Sequence, residues 1–593
     1  MLSFIRITKS PYRWLINQAH RKMFETHFIG KENVVYDAIS KNVLKDNNAR
    51  TIFTIETPEL NILVKRYKIR GLLGIIKATF LAPARKEVRA SDYLINHHIN
   101  TIYPLGVLEK KKLGFTTDIF LFVRKMENAI SIKDFIVSLI AENRNKTLGE
   151  SRDNIKSKND ILKSLAELVR EVHRATFFHQ DFHLGNILID PKSPVLYLID
   201  LHRSSILSYF TQPHKISNLA QIIYSLSTVL SSTDIYRFIK YYHKLDFRTD
   251  VLRDFITTVL DKVKILQHKH WRNRNKRCLR NSSHYAVMNY RNYRISLKRQ
   301  DDVSGIIKLI ANHDKIVVNE PHKLFKYIPK RLISRIAYNE IKDKVKKNDS
   351  STSALTSSLN LNVFIKEYRY SFGNRVWSLF GNHPAKKSWF SANGLLIRHT
   401  LTAEPIALVE ETDPFYTWVK RSYVITREIE AEPTNQFVVG NFVNRIKDKK
   451  TLERKIGFIK EFAFAVRRLH QNGIFHYDLK SNNILIKENT RTQTDNYSKN
   501  LPDWSTGQAG WTFYFIDLDR MKFSYEVSLP ELLKNLSQLN ASVSEVMTKA
   551  DRLRFYRFYS EGEKELPHND EKAIIKQIMA LTIKRHHFWP QQY

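Results

Sequence analysis

Cysteine is almost absent from this chain, since Cys278 is the only one among 593 residues. A single thiol excludes an internal disulfide and any metal site built from several thiolates. Proteins of reducing compartments commonly do without such cross-links, whereas small secreted domains depend on them. The sequence therefore predicts a cytoplasmic chain, long enough to fold as more than one domain.

Long apolar runs are also missing. No run of about 18 uncharged apolar residues occurs, so no membrane-spanning helix is predicted. The N-terminal stretch MLSFIRITKSPYRWLINQAHRKM (1–23) has neither the continuous apolar region nor the small-residue cleavage site of a signal peptide. It mixes basic with large apolar residues, which leaves two interpretations open. One is a segment lying in a membrane interface, and the other is a helix packed on its own domain.

Acidic residues are few compared with basic ones: 59 Asp and Glu stand against 96 Lys and Arg, for a formal net charge of +37. Such a charge attracts phosphate-rich partners, which are nucleic acid, nucleotides or an anionic membrane surface. The basic residues are spread along the chain and cluster only in HKHWRNRNKRCLR (268–280). This spread makes nucleic acid the least favoured of the three partners.

The chain does contain a repeat. FFHQDFHLGNILID (177–190) and IFHYDLKSNNILIK (474–487) share an aromatic-His-x-Asp pattern, an Asn five residues after the Asp, and an apolar run. Other similar pairs keep the same order in both halves: NILVKRYK (61–68) with NVFIKEYR (362–369), PARKEVRASDYL (83–94) with PAKKSWFSANGL (384–395), and LYLIDLHR (196–203) with FYFIDLDR (513–520). A period of about 300 residues is too long for a solenoid and indicates a duplicated domain. We predict domains at 1–270 and 271–593, with the boundary within 262–282.

Two polar stretches interrupt the second half. KVKKNDSSTSALTSSLN (344–360) is rich in Ser and has no apolar periodicity, which predicts a surface loop. KENTRTQTDNYSKNLPDWSTGQAG (487–510) separates the repeated stretch from its downstream Asp and is predicted to be an extended hairpin tip.

The first half contains a set of polar residues suited to phosphoryl transfer. Lys65 lies in an apolar strand, where a buried ammonium group needs an anion, and Glu87 in the next helix is its predicted partner. Asp181 and Asn186 flank a tight loop, and Asp200 ends an apolar strand. Oxygen ligands of this kind suit Mg²⁺, so Asn186 and Asp200 are predicted metal ligands. Lys65 would then meet the phosphates, while Asp181 would orient a hydroxyl nucleophile.

The second half repeats most of this set. Its corresponding residues are Lys366, Asp478, Asn483 and Asp517, with Asn483 and Asp517 as predicted metal ligands. Ser388 stands where the first half has Glu87, and a serine cannot form an ion pair with the strand lysine. The histidine two residues before each loop aspartate, His179 or His476, is interpreted as a structural hydrogen-bonding residue rather than a general base.

These residues resemble the protein-kinase-like superfamily and, within it, the bacterial lipopolysaccharide kinase family of Kdo and core-heptose kinases. The motifs that carry the resemblance include VKRY (64–67), RKEVRA (85–90), HQDFHLGNILID (179–190) and PAKKSWFSANGLLIRH (384–399). The resemblance implies an α+β fold of two tandem bilobal domains, each with an antiparallel-sheet lobe and a mainly helical lobe that bind ATP and Mg²⁺ between them. It implies catalytic bases at Asp181 and Asp478. It also implies a nucleotide-binding set: Lys65, Glu87, Asn186, Asp200, Lys366, Lys480, Asn483 and Asp517.

The sequence departs from the kinase pattern in several places. No GxGxxG motif occurs near residues 30–60 or 280–330, so the loop that covers the phosphates is not identified. The metal-binding aspartates stand in DLH and DLD, with no glycine after them. Lys480 is similar to the phosphate-contacting lysine of protein kinases, whereas the first half has His183 near that place. The two sites are therefore predicted to differ in acceptor.

Three functions follow from these features. The leading hypothesis is an ATP-dependent kinase for a sugar hydroxyl of a lipid-linked saccharide of the lipopolysaccharide core type, peripheral at the inner face of the cytoplasmic membrane. A protein Ser/Thr/Tyr kinase is the second, favoured by HYDLKSNN (476–483) and disfavoured by the missing glycine-rich and APE-like motifs. In the third, Ser388 marks the second domain as a nucleotide-binding pseudokinase that scaffolds the first. The sequence indicates no oligomeric state.

Overall fold

The computed structural model divides the chain into two compact units, Met1–Leu266 and Gln267–Tyr593. The described residues are 2–46, 49–143, 148–244, 250–339, 360–370, 383–413, 415, 418–443, 449–489, 510–561 and 570–586. Most of the two polar stretches at 344–360 and 487–510 lies outside the described residues.

The first unit begins with a sheet lobe and continues into a helical lobe. Its strands are β1 Phe4–Lys9, β2 Tyr12–Asn17, β3 Val43–Asp46, β4 Arg50–Glu56, β5 Asn61–Tyr67, β6 Pro104–Lys112, β7 Phe115–Arg124, β8 Ile130–Ser131, β9 Phe177–His179, β10 Ile187–Asp190, β11 Ser193–Leu198 and β12 Ser204–Ile206. Its helices are α1 Arg21–His27, α2 Asn33–Lys41, α3 Gly71–Leu81, α4 Pro83–Asn96, α5 Ile132–Asn143, α6 Leu148–Arg174, α7 Gln212–Leu226, α8 Ser232–His243 and α9 Asp250–Asn275, which runs on into the second unit.

The seven-stranded sheet of this unit is antiparallel and has the order β1-β2-β6-β7-β5-β4-β3. In β4 and β5, Phe53, Ile55, Ile62 and Val64 alternate with less buried residues, which is the period of a strand with one face on a core. The helix α4 begins at Pro83, whose fixed φ and missing N–H suit the first helical turn. This arrangement places β5 in the sheet and α4 beside it.

Each lobe of the first unit has its own apolar core. On one face of the sheet, Trp14, Phe24 and Phe122 pack with ring centroids 5.5–5.6 Å apart. In the helical lobe the core forms around α6, where Leu165 and Val169 are fully buried. Close-packed cores of this kind keep the strands and helices of each lobe in place.

The second unit has the same succession of strands. These are β13 Tyr285–Tyr290, β14 Tyr293–Lys298, β15 Lys326–Ile328, β16 Arg331–Asn339, β17 Asn360–Arg369, β18 Pro405–Thr412, β19 Val419–Arg427, β20 Glu432–Pro433, β21 Ile474–His476, β22 Ile484–Glu488, β23 Trp511–Phe515 and β24 Met521–Phe523. Its helices are α10 Val303–Asn319, α11 Pro384–Ile397, α12 Thr434–Phe442, α13 Lys449–Gln471, α14 Leu529–Ser542, α15 Lys549–Ser560 and α16 Glu571–His586.

The sheet order of the second unit repeats that of the first. Its large antiparallel sheet runs β13-β14-β18-β19-β17-β16-β15, so β17 takes the place of β5 and β16 that of β4. The small sheets correspond as well, with β11-β10-β8 matching β23-β22-β20 and β12-β9 matching β24-β21. Each unit therefore combines antiparallel sheets with many helices, which confirms the predicted α+β class.

The N-terminal stretch packs on its own domain, as one interpretation predicted, but it does so as strands and not as a helix. The residues form the β1-β2 hairpin at the edge of the large sheet, where β2 pairs with β6. Trp14 and Ile16 are fully buried on the same face of β2. Trp14 and Ile16 follow the period of a strand, and the core of the sheet lobe covers both. Among the described helices, none has the length and apolarity needed to cross a bilayer.

One glycine of the second unit is required by its backbone and its surroundings. Gly473 has φ +68° after α13, and a Cβ there would lie 2.0 Å from the carbonyl oxygen of Ser524. Thr176 occupies the same place in the first unit with φ +49°. We expect Gly473→Ala to lower the free energy of unfolding by about 3 kcal/mol or more, because strain and overlap add. Thr176→Gly is the matched control, for which we expect a change within about 1 kcal/mol. Urea denaturation measures both, and a Gly473→Ala protein as stable as wild type would contradict the steric argument.

Candidate active site

The strand lysine of the first unit is paired with the helix glutamate. Lys65 lies in β5 between Ile52 of β4 and Leu121 of β7. Its Nζ donates a hydrogen bond to Oε1 of Glu87 on α4, and both side chains are buried. Tyr67 donates its hydroxyl to Oε2 of Glu87 at 2.5 Å. The buried carboxylate therefore has a donor on each oxygen, as a buried charge requires.

The loop between β9 and β10 is held by its own histidine. The His179 ring is fully buried, with Nε2 3.3 Å from the Ile199 carbonyl oxygen, while Nδ1 accepts the Asp181 backbone N–H at 3.2 Å. Asn218 of α7 donates to the carbonyl oxygen of His179 at 2.7 Å. Burial lowers the pKa of His179, which keeps the ring neutral. These contacts are structural and leave no ring nitrogen directed at a substrate.

Asp181 and Asn186 face each other across this loop. Nδ2 of Asn186 donates to the backbone oxygen of Asp181 at 2.8 Å, which leaves the amide oxygen of Asn186 as its second polar atom. The Asp181 carboxylate is about half exposed, and Nε2 of His183 lies 3.6 Å from its Oδ1. The loop thus presents one solvent-accessible carboxylate and one oriented amide.

Asp200 is bound by an arginine that the sequence did not indicate. Arg50, the first residue of β4, donates from Nη1 to Oδ1 at 2.6 Å and from Nη2 to Oδ2 at 3.0 Å. Nδ1 of His202 lies 2.8 Å from Oδ1. Burial alone would raise the pKa of Asp200, but hydrogen bonds from His202 and Arg50 and the charges of Arg50 and Lys65 hold that pKa well below its usual range. Asp200 is therefore ionised at neutral pH.

Asp200 is the residue of its group that suits a hard divalent cation. Ligand atoms of Glu87, Asp200 and His202 lie within 4.8 Å of one another. Asp200 offers the carboxylate oxygens that Mg²⁺ prefers, whereas Lys65 and Tyr67 already contact both oxygens of Glu87. A carboxylate has about four lone-pair sites, and three of those of Asp200 are taken by Arg50 and His202. A cation held by Asp200 would share the carboxylate with Arg50 and His202, or would displace the guanidinium if it took both oxygens.

In the second unit the strand lysine has a different partner. Lys366 donates from Nζ to Oδ1 of Asp517 at 2.7 Å. Ser388, at the place of the helix glutamate, is buried on α11. Burial alone would raise the pKa of Asp517, but the charge and hydrogen bond of Lys366 lower it, and Arg331 adds to this effect. Without a helix carboxylate, the lysine pairs with the carboxylate that the predicted metal would need.

The second catalytic-type loop repeats the geometry of the first. Nε2 of His476 lies 3.0 Å from the Ile516 carbonyl oxygen, and Nδ1 accepts the Asp478 backbone N–H at 3.1 Å. Asn483 donates from Nδ2 to the Asp478 backbone oxygen at 2.8 Å. Lys480 places Nζ 3.1 Å from Oδ1 of Asp478, whereas the first unit has Nε2 of His183 3.6 Å from Oδ1 of Asp181. Of the predicted residues, the structure thus brings together the loop pair in each unit.

Arg331 occupies the position of Arg50. Each arginine is the first residue of its strand and pairs in register with a tyrosine, Tyr67 or Tyr368, two residues after the strand lysine. Arg331 donates to Oδ1 of Asp517 at 3.4 Å and also donates to Asp519. Sequence reasoning missed both arginines because their distance to the strand lysine differs, from 50 to 65 and from 331 to 366. The register of the sheet is the only signal that aligns them.

Comparison with known proteins matches part of the chain to a family. Residues 44–242 match the model of the lipopolysaccharide kinase (Kdo/WaaP) family, and all five predicted site residues of the first unit fall in this segment. The chain is a kinase. A search of the curated proteins finds no match. A solved structure described as WaaP in complex with acyl carrier protein is 19% identical, covers 43% of this chain and 99% of that chain, and has a TM-score of 0.33.

The family match and the site geometry concern the same part of this kinase. The matched segment runs from β3 to the end of α8 and so contains both β4 with Arg50 and the loop with Asp181. The corresponding residues of the second unit lie beyond it. The first unit is thus the part of the chain that is similar to the model of this family.

Proposed function

We propose that this kinase transfers the γ-phosphoryl group of ATP to a hydroxyl of a lipid-linked saccharide of the lipopolysaccharide core type. The observation that carries the proposal is the buried Lys65–Glu87 pair beside Asp200, within the segment that matches the lipopolysaccharide kinase family. A buried ammonium held by one carboxylate is placed to meet an anionic phosphate without a large desolvation cost.

Each residue of the first unit would have a distinct task. Lys65, positioned by Glu87, would bind the phosphates of ATP, while Asn186 and Asp200 would hold Mg²⁺. The metal would neutralise charge on the phosphates. Asp181 is the accessible carboxylate of the loop, and it would accept the proton of the sugar hydroxyl as that oxygen bonds to the γ-phosphorus and the bond to ADP breaks.

The second unit would be a tandem copy of the kinase fold with a weaker or absent activity. Its sheet order and loop support a second nucleotide-binding domain over 271–593 that uses Lys366, Lys480, Asn483 and Asp517 with Asp478 as base. Ser388 and the Lys366–Asp517 contact favour the scaffold function, because the lysine has no helix carboxylate to hold it at the phosphates. The boundary at 270 is part of this proposal.

The proposed acceptor indicates where in the cell the kinase would act. A saccharide attached to lipid is reached from the surface of a bilayer, and the net charge of +37 favours an anionic one. We therefore place the kinase at the inner face of the cytoplasmic membrane, bound peripherally.

The test is phosphotransfer from radiolabelled ATP with Mg²⁺ to an extracted lipid-linked core saccharide. We expect label on a sugar hydroxyl, located by mass spectrometry, and no label without the acceptor. A mixture of protein substrates serves as the parallel reaction. Transfer to protein side chains with none to saccharide would contradict the proposed acceptor and favour the protein-kinase alternative.

A further inference from the structure

The helix α3, Gly71–Leu81, has its large apolar side chains on the outside. Leu72, Leu73, Phe80 and Leu81 are 75, 74, 76 and 68% exposed. Single exposed apolar residues are common on protein surfaces, but four on one helix of eleven residues form a patch that marks an interaction site.

Small side chains attach this helix to the sheet. Ala78 is its one buried residue, and Oγ1 of Thr79 accepts the backbone N–H of Thr116 on β7 at 2.9 Å. The same hydroxyl donates to the Ile75 carbonyl oxygen at 2.9 Å. A helix that covers a core normally turns its large apolar side chains inward, whereas α3 has them on its exposed face. Because Ala78 and Thr79 contact the sheet, the face of α3 with Leu72, Leu73, Phe80 and Leu81 points outward.

The charged residues in the stretch of sequence around α3 are all basic. From residue 60 to residue 86 the sequence has no Asp or Glu and seven Lys or Arg residues. Four of these form ion pairs elsewhere in the unit: Lys65, Arg66, Lys68 and Arg85. The other three, Arg70, Lys77 and Lys86, are exposed and form no ion pair within the described part of the chain. An apolar patch with three such cations on or next to its helix complements a surface that is apolar below and anionic above.

We propose that α3 is the segment by which this kinase docks on an anionic lipid bilayer. Leu72, Leu73, Phe80 and Leu81 enter the boundary of the acyl chains, while Arg70, Lys77 and Lys86 lie among the lipid phosphates. A bilayer suits the patch better than a protein partner, because it offers an apolar layer under negative charge without a matching pocket. The chain order adds a consequence: α3 follows β5 with Lys65 and precedes α4 with Glu87. Docking therefore anchors both elements of the site at the membrane.

This inference deepens the proposed function. It rests on that proposal in one respect, since a lipid-linked acceptor is the reason why the kinase would need to reach a bilayer. The experiment is flotation of the full chain with vesicles of phosphatidylethanolamine and phosphatidylglycerol, and with vesicles of phosphatidylcholine alone, in the absence of nucleotide. The test variant is Leu72→Glu with Phe80→Glu. The matched control is Val318→Glu, since Val318 on α10 is likewise 76% exposed.

We expect wild type and Val318→Glu to float with the anionic vesicles. We expect the double variant to bind these vesicles at least about tenfold more weakly than wild type. Replacing Arg70, Lys77 and Lys86 by serine should reduce binding to the anionic vesicles only. Equal flotation of wild type and the double variant would overturn the proposal, as would equal loss in the Val318→Glu control. If the double variant floats normally but loses a protein partner, the patch is a protein interface.

The outcome is separable from that of the phosphotransfer assay. A chain that floats through α3 but transfers no phosphate to saccharide would overturn the proposed function alone. A chain that phosphorylates the lipid-linked saccharide but floats independently of α3 would overturn this inference alone. Circular dichroism of each variant confirms that the exposed substitutions leave the fold unchanged.

Discussion

Asp200→Asn is expected to lower the rate of phosphotransfer by about 100-fold or more. The substitution replaces the charged carboxylate beside the buried Lys65–Glu87 pair by a neutral amide, which attracts Mg²⁺ less strongly than a carboxylate does. Asp517→Asn is the corresponding change in the second unit, where Lys366 already occupies the carboxylate. We expect that variant to keep more than about half of the activity, because the first unit alone has the helix glutamate.

Two controls make this comparison sharp. Asp190→Asn alters a carboxylate at the end of β10 that accepts the Lys192 backbone N–H at 2.9 Å and belongs to none of the predicted site residues, so it should leave the rate unchanged. Urea denaturation of Asp200→Asn separates loss of chemistry from loss of fold, since Arg50 loses its charged partner. A loss confined to Asp517→Asn would place the active site in the second unit. Partial losses in both variants would show that both units turn over.

The second large effect concerns Arg50 and the binding of the metal. The guanidinium contacts both oxygens of Asp200, so a cation that took both oxygens would displace it. A charge-assisted hydrogen bond of this kind contributes about 1.5–3 kcal/mol. We therefore expect Arg50→Ala to bind Mg²⁺ at least about tenfold more tightly in the absence of nucleotide, because each 1.4 kcal/mol is a factor of ten.

Titration with Mn²⁺ followed by electron paramagnetic resonance measures this affinity without any turnover. Arg50→Lys keeps the charge with a single donor group and should give an intermediate affinity. Arg331→Ala in the second unit should have a smaller effect, since Arg331 also contacts Asp519 and Lys366 remains on Asp517. Weaker cation binding in Arg50→Ala would contradict displacement of the guanidinium by the metal.

Several features of this kinase were predictable from the sequence alone. The strands around Lys65, the helix with Glu87 and the loop with Asp181 and Asn186 were found where their local patterns predicted them. These features depend on residues close in sequence: side chains alternate along a strand, and a loop is closed by neighbours five residues apart. The duplicated order of motifs likewise required no structure, because it is a property of the letters themselves.

Other features were decided only by tertiary structure. Arg50 and Asp200 are 150 residues apart, and nothing in the sequence indicates that the start of β4 reaches the carboxylate after β11. Lys366 contacts Asp517 rather than a helix glutamate. The sequence shows that Ser388 stands in place of the glutamate, but it does not show which carboxylate the lysine contacts instead.

The N-terminal hairpin and α3 show the same division. Both segments mix basic and large apolar residues, and composition alone suggested membrane contact for the first of them. The structure buries Trp14 against the sheet lobe and leaves Phe80 exposed on α3. Which apolar side chains a fold covers depends on how strands and helices far apart in sequence pack together, and that packing is a property of the whole unit rather than of any segment.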